Sequence, residues 1–157
     1  MTLLDDVAPV LDDGFDVDRT TVLAAVGPFD RRAVLAARQA LAIPAARRTA
    51  VHVVEDVVTA AQLAVRWRDA EVPLSIEMLR APVDVAEAVR VAARAERERG
   101  AAHVVVVVAR QVLRRPWHRA LHDRTADAIA AALAPERQVL TVVVAAPVHQ
   151  RIPAIVG

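Results

Sequence analysis

Apolar residues along this chain fall into two alternating patterns. Short β-branched runs, typical of strands buried on both faces, recur five times, at 20–26, 49–54, 72–79, 103–109 and 139–145. Between them, apolar residues spaced three or four apart predict helices. These helical segments cover 33–41, 57–69, 83–99 and 116–133. Asp30 is placed to cap the first helix, Pro44 to stop it, and Gly100 to end the third.

Strict alternation of strands and helices indicates parallel strands joined by right-handed crossover helices. We therefore expect an α/β fold, a three-layer α/β/α sandwich around a five-stranded parallel sheet. Residues 20–149 would form this single domain. Residues 1–19, with six aspartates and no basic residue before Arg19, would be an acidic arm or linker remnant, and 150–157 a C-terminal tail.

The amino-acid composition excludes several classes of protein. There is no cysteine among the 157 residues, which excludes disulfides and thiolate metal sites. The net charge of +1 argues against a general nucleic-acid binder, so we expect no nucleic-acid partner. The longest unbroken apolar run, 104–109, is far too short for a membrane span, and the acidic start does not resemble a signal peptide.

Motifs for catalysis and for phosphate binding by glycine loops are missing. The four glycines do not have the spacing of a dinucleotide fingerprint or a P-loop. Ser75 is the only serine and lies within a predicted strand, which argues against a nucleophile elbow. The third predicted strand ends in Met78, Leu79 and Arg80, without the aspartate of a phosphoacceptor receiver. We expect a protein that is not an enzyme and carries no cofactor.

The segment 102–125 carries the candidate chemistry. A run of valines leads into a basic stretch with Asp123 as its single acidic residue, and Pro116 is suited to the first position of a helix. The basic residues are Arg110, Arg114, Arg115, Arg119 and Arg124. Open α/β sheets bind anions at the carboxyl ends of their strands, next to the start of the following helix, and a basic sequence there favours such binding. A solvated basic face is the competing interpretation.

The histidines and tryptophan near this stretch have structural explanations as well. His118 and His122 lie four apart and would share a helical face, but a third ligand and a catalytic glutamate are missing nearby, so packing or capping is favoured over a metal. Trp117 fits a core position better than a stacking platform. His52 alternates with valines, as expected for a satisfied histidine in the core or between layers.

Several stretches together resemble a known family. They are AVHV at 50–53, VPL at 72–74, the valines at 104–108, RRPWHRALHDRTA at 114–126 and the closing segment 139–149. The chain resembles the universal stress protein fold, and more specifically the cytosolic C-terminal domains of permeases in the amino acid–polyamine–organocation (APC) transporter superfamily. The resemblance implies the strand order 3-2-1-4-5.

The sequence departs from this pattern at three places. ATP-binding stress proteins have an aspartate after the first strand and a glycine-rich loop after the fourth, where this chain has Val26-Gly27-Pro28 and the segment 110–115. Permease-type domains usually have Pro-Glu after the fourth strand, where this chain has Ala109-Arg110. ATP binding of the usual kind is therefore not expected.

The resemblance implies a cytoplasmic regulatory or nucleotide-sensing domain of, or for, an amino-acid or cation transporter, at the inner face of the membrane. Cyclic di-AMP is the ligand it suggests. The alternatives are a stand-alone stress-type protein that binds a mononucleotide, and a ligand-free dimerisation scaffold.

The ligand site would comprise Val26, Gly27, Val54, Arg110, Arg114, Arg115, Trp117, His118, Arg119 and His122. The apolar fifth strand, as an edge, predicts a homodimer.

Overall fold

The computed structural model describes residues 15–80, 84–112 and 124–147. A short 3-10 turn, Val17–Arg19, precedes the first strand. The strands are β1 (Thr20–Ala25), β2 (Arg47–Val54), β3 (Ile76–Arg80), β4 (His103–Val112) and β5 (Val139–Pro147). The helices are α1 (Arg31–Ala42), α2 (Val57–Asp69), α3 (Val85–Glu98) and α4 (Arg124–Leu133). The predicted arm and tail lie largely outside the described residues.

All five strands pair in parallel, in the order β3-β2-β1-β4-β5. In the centre, Ala24 of β1 lies beside Ala50 of β2 and Val107 of β4. The prediction of an α/β fold with this strand order is confirmed. Because β1 and β4 are neighbours while the chain leaves them in opposite directions, the sheet has its topological switch point between these two strands.

The valine run of β4 is explained by helices on both faces of the sheet. Val105 and Val107 pack with residues of α1 and α2, whereas Val104, Val106 and Val108 pack with residues of α3 and α4. All five are buried. Burying one such side chain stabilises a fold by about 1.5–3 kcal/mol, so a central strand gains from apolar residues at every position.

Helix ends follow the local sequence signals. Asp30, Asp56 and Asp84 are the N-caps of α1, α2 and α3. The carboxylates of Asp30 and Asp56 each accept hydrogen bonds from two backbone N–H groups of the first turn, and that of Asp84 accepts one from Glu87. The predicted bounds of α2 are confirmed. Gly100, just after α3, has a φ of 108°, a conformation in which glycine avoids the strain of a Cβ.

The third strand is shorter than predicted. It begins at Ile76 rather than at residue 72, because the chain is still turning: Glu71 has a φ of 51°, and the N–H of Leu74 donates to the carbonyl of Val72 at 2.8 Å. The buried indole of Trp67 then donates to the Leu74 carbonyl at 2.7 Å. This segment therefore packs under α2 instead of extending β3.

Candidate functional site

A cleft of about 360 Å³ opens at the edge of the sheet where the parallel strands end. Its floor is formed by the ends of β1, β2 and β4, and residues from the first turns of α1, α2, α3 and α4 contribute to its walls. The cleft thus lies at the switch point, where open α/β sheets bind their ligands.

The α1 wall carries one arginine, whose charge is already paired. The Asp30 carboxylate accepts hydrogen bonds from the N–H groups of Arg32 and Ala33 at 2.9 and 3.3 Å. It also holds the Arg32 guanidinium through Nη2 at 2.8 Å and Nε at 3.1 Å. This pairing fixes the guanidinium at the rim of the cleft and lowers the positive charge that it presents there.

The β2 side of the cleft is acidic. Asp56 accepts hydrogen bonds from the N–H groups of Val58 and Thr59 and, at 2.7 Å, from the Thr59 hydroxyl. The hydroxyl of Thr59, followed by the two N–H groups, lowers the pKa of Asp56. Glu55 lies beside Asp56 in the same wall. This side of the cleft therefore presents hydrogen-bond acceptors and negative charge.

A buried histidine adds a further acceptor. His52, 5% exposed, contributes to the cleft wall, and its Nδ1 lies 2.9 Å from the carbonyl oxygen of Val26. Because a carbonyl only accepts, Nδ1 carries the proton, which leaves a lone pair on Nε2 in the neutral ring. Nε2 is buried and has no hydrogen-bond partner among the described residues. One nitrogen of the predicted core histidine is thus satisfied and the other is not.

The backbone after β1 leaves room for a ligand. The N–H of Val26 donates to the Val51 carbonyl at 2.9 Å, which continues the pairing of β1 with β2 by one residue. A Cβ placed on the following residue, Gly27, would meet no atom within 4 Å. Packing within the protein does not require glycine at this position, so space beside the backbone is open to the cleft.

The structure brings together part of the predicted ligand site. Val26 and Gly27 line the cleft, whereas Val54, at the end of β2, does not. Arg110 also lies outside the walls and pairs with Asp127 of α4 at 3.3 Å. The six remaining predicted residues, Arg114, Arg115, Trp117, His118, Arg119 and His122, lie outside the described residues.

Sequence reasoning missed the acceptors of the cleft. The sequence pattern predicts a core position for His52 and does not single out Glu55, Asp56 or Thr59. A signal is present nonetheless: His52 is the one imidazole of the strand 49–54, and two carboxylates follow it at the strand end. Side chains that follow a parallel strand at its carboxyl end face the ligand edge of such a sheet.

Within the described part of the chain, no three histidine, cysteine, aspartate or glutamate side chains are grouped so that they could hold a metal ion. None of its helices has both the length and the apolar character needed to cross a membrane.

Comparison with known proteins gives one family. Residues 18–147 match the family model described as the KimA potassium transporter C-terminal domain. The matched region includes every helix and strand of the sandwich from β1 to β5. No curated protein matches the sequence.

Proposed function

The chain belongs to the family of KimA potassium transporter C-terminal domains, and we propose that it is a regulatory domain that binds a nucleotide in the cleft and is not itself an enzyme. The resemblance to APC transporters leaves open whether the transporter carries an amino acid or a cation. The family description favours a cation, potassium. The domain would work on the cytoplasmic side, at the inner face of the membrane.

One observation carries the nucleotide proposal: His52 lines a cleft at the switch point, and its buried Nε2 has no hydrogen-bond partner among the described residues. A buried acceptor without a hydrogen bond costs free energy, and a ligand that donates to it removes that cost. Nucleobase amino groups and ribose hydroxyls are such donors. The neighbouring carboxylates of Glu55 and Asp56 favour the same groups, so the β2 side of the cleft is suited to the nucleoside part of a ligand.

The phosphate part of the ligand needs positive charge that the described walls lack. Arg32 is the one arginine among the described wall residues, and Asp30 already pairs with it. The predicted anion-binding residues Arg114, Arg115 and Arg119 follow β4 in sequence, and β4 ends at this edge. We propose that they hold the phosphates, because guanidinium groups bind phosphate oxygens through paired hydrogen bonds.

Cyclic di-AMP remains the proposed ligand. The cleft volume of about 360 Å³ is near the lower end of the range for small-molecule sites, about 300–1,000 Å³. This volume suits one nucleotide unit, so the second unit of a cyclic dinucleotide would extend past the described walls. A mononucleotide, the alternative ligand, would place its nucleoside part within the described walls and would need the same arginines for its phosphate.

A homodimer through β5 is proposed as well, because one structural feature favours it. β5 is an edge strand, and the side chain of Val143 in its middle is 41% exposed. An apolar edge strand is prone to pair with another strand unless it is covered. Pairing of two β5 edges would join two copies into one continuous sheet and leave the cleft of each copy open.

Isothermal titration calorimetry of the whole chain tests the nucleotide proposal, with cyclic di-AMP, ATP and cyclic AMP as ligands. We expect saturable binding of cyclic di-AMP, and a loss of at least about tenfold in affinity for Gly27→Val, which fills open space beside the cleft. Arg66→Gln, an exposed position of α2 away from the cleft, is the matched control and should bind as the wild type does.

The outcomes separate the candidate functions. Saturable binding of ATP or cyclic AMP without cyclic di-AMP would favour the mononucleotide alternative. Binding of none of the three, in a chain that circular dichroism shows to be folded, would contradict the nucleotide proposal and leave the ligand-free dimerisation scaffold.

A further inference from the structure

At the opposite edge of the sheet, where the strands begin, three arginines converge on a second cavity. Its volume is about 540 Å³. Arg19 comes from the turn before β1, Arg97 from the last turn of α3, and Arg137 from the turn before β5. His103, the first residue of β4, completes the wall that faces them.

The guanidinium of Arg97 is held in place without losing its charge. Its Nη1 donates to the carbonyl oxygens of Ala101 and Ala102 at 3.0 and 2.5 Å. Neutral carbonyls orient the group but do not neutralise it. Other arginines of the described chain pair with carboxylates; Arg90 and Arg94, for example, both pair with Glu136. Arg97 has no such partner among the described residues.

The two other arginines are also uncompensated. Arg19 and Arg137 are exposed and make no ion pair within the described ranges. One acidic side chain, Asp16, shares the cavity wall, and its carboxylate accepts a hydrogen bond from the N–H of Asp18 at 3.1 Å. The cavity therefore has three positive groups against one negative group, and an anion in the cavity would relieve the repulsion between the arginines.

The floor of the cavity is rigid. His103 is 3% exposed, its ring stacks on Phe15 with centroids 6.2 Å apart, and its Nδ1 lies 2.9 Å from Oε1 of Gln138. Gln138 has a φ of 59°, an uncommon conformation for a residue other than glycine. The N–H of Ala102 also donates to the carbonyl of Arg19 at 2.7 Å. These contacts hold the backbone beside the cavity in place, so that ligand binding would mainly order the exposed side chains of Arg19 and Arg137.

We propose that this cavity, lined by Arg19, Arg97 and Arg137, is a second binding site, for a phosphate group. Three guanidinium groups can each donate to a different oxygen of a terminal phosphate, which has three free oxygens, whereas a carboxylate has two. The site is independent of the nucleotide cleft, because the two lie at opposite edges of the sheet. The phosphate comes either from a soluble ion or from a phospholipid headgroup.

The test titrates inorganic phosphate into the 15N-labelled chain and follows the amide resonances by NMR. We expect saturable shifts of the amides of Arg19, Ala102, His103 and Gln138. The double variant Arg19→Gln/Arg137→Gln should weaken binding by about tenfold or more. Both side chains are exposed, so the fold should persist. Arg66→Gln, an exposed arginine of α2 without an ion pair in the described chain, is the matched control.

Sedimentation with vesicles identifies the source of the phosphate. Binding to phosphatidylcholine vesicles that contain phosphatidic acid, lost in the double variant and kept in Arg66→Gln, indicates a lipid headgroup. Saturable binding of inorganic phosphate without vesicle binding indicates a soluble ion. The proposal is overturned if neither probe binds, or if Arg66→Gln weakens binding as much as the double variant.

Discussion

The Nδ1 of His52 donates a hydrogen bond to the carbonyl oxygen of Val26 at 2.9 Å, which ties a side chain of β2 to the backbone where β1 ends. This contact determines which ring nitrogen carries the proton. It also explains why a histidine stands in an apolar strand: one nitrogen fixes the end of β1, and the other is a buried acceptor without a partner among the described residues.

Replacing His52 separates its two roles. Leucine removes both nitrogens and leaves the Val26 carbonyl without this donor, so His52→Leu should lower the free energy of unfolding by about 1–2 kcal/mol. The cost is limited because an unsatisfied acceptor is removed at the same time. Nucleotide affinity should fall by about tenfold. Glutamine supplies a donor and an acceptor, so His52→Gln should restore part of the affinity. Urea denaturation and calorimetry measure the two effects; wild-type nucleotide affinity in both variants would exclude a role for Nε2.

Gly27 should tolerate a side chain in the free protein. Its φ lies outside the left-handed region and an added Cβ meets nothing within 4 Å, so Gly27→Ala should change the free energy of unfolding by at most about 1 kcal/mol, in the stabilising direction. Thermal denaturation measures this. A marked loss of stability would show that the backbone after β1 is more confined than the structure indicates.

Trp67 anchors the turn that precedes β3. Its indole N–H donates to the carbonyl of Leu74, and Phe29 packs edge-on against the ring. Trp67→Phe keeps most of the apolar area but leaves that carbonyl unpaired, so the free energy of unfolding should fall by about 1–3 kcal/mol.

Chemical denaturation followed by circular dichroism measures the loss at Trp67. A cost below about 0.5 kcal/mol would indicate that the Leu74 carbonyl finds another donor.

Glu136 makes the stability of the fold depend on pH. Arg94 donates to its Oε1 through Nε at 2.9 Å, and Arg90 donates through Nη1 at 3.2 Å. Hydrogen bonds from Arg94 and then Arg90 hold the pKa of Glu136 below its ordinary value of 4.5. A carboxylate with a lowered folded-state pKa stabilises the fold above its unfolded pKa, and the stabilisation is lost as the pH falls through the folded value.

Glu136→Gln should therefore lower the free energy of unfolding by about 1–2 kcal/mol at neutral pH, and the difference from the wild type should shrink below pH 4.5. Urea denaturation at a series of pH values measures it. A difference that stays constant from neutral pH to about pH 3 would contradict the assigned ion pairs.

The dimer proposed through β5 is tested at Val143. A lysine on an edge strand opposes edge-to-edge pairing, so Val143→Lys should convert the dimer to a monomer in light scattering. Val91, 55% exposed on α3, gives the control Val91→Lys, which should stay dimeric. A wild-type chain that is monomeric at micromolar concentration would rule out this dimer.

The alternation of strand and helix, the bounds of α2 and the turn at Gly100 could be predicted from the sequence, because each depends on residues close together along the chain. Periodicity and capping act over one or two turns, and a run of valines is buried on both faces in any parallel sheet. The strand order came from the family resemblance rather than from these local signals.

Contacts between distant residues were decided by the tertiary structure alone. His52 bonds through Nδ1 to Val26, 26 positions away, and its Nε2 has no partner among the residues that the structure describes. Arg97 and Arg137 line the same cavity because the C-terminal end of α3 and the start of β5 lie at the same edge of the sheet. The sequence by itself determined the elements and their alternation. Which polar groups are paired, and which are left free for a ligand, depends on separations that no local pattern encodes.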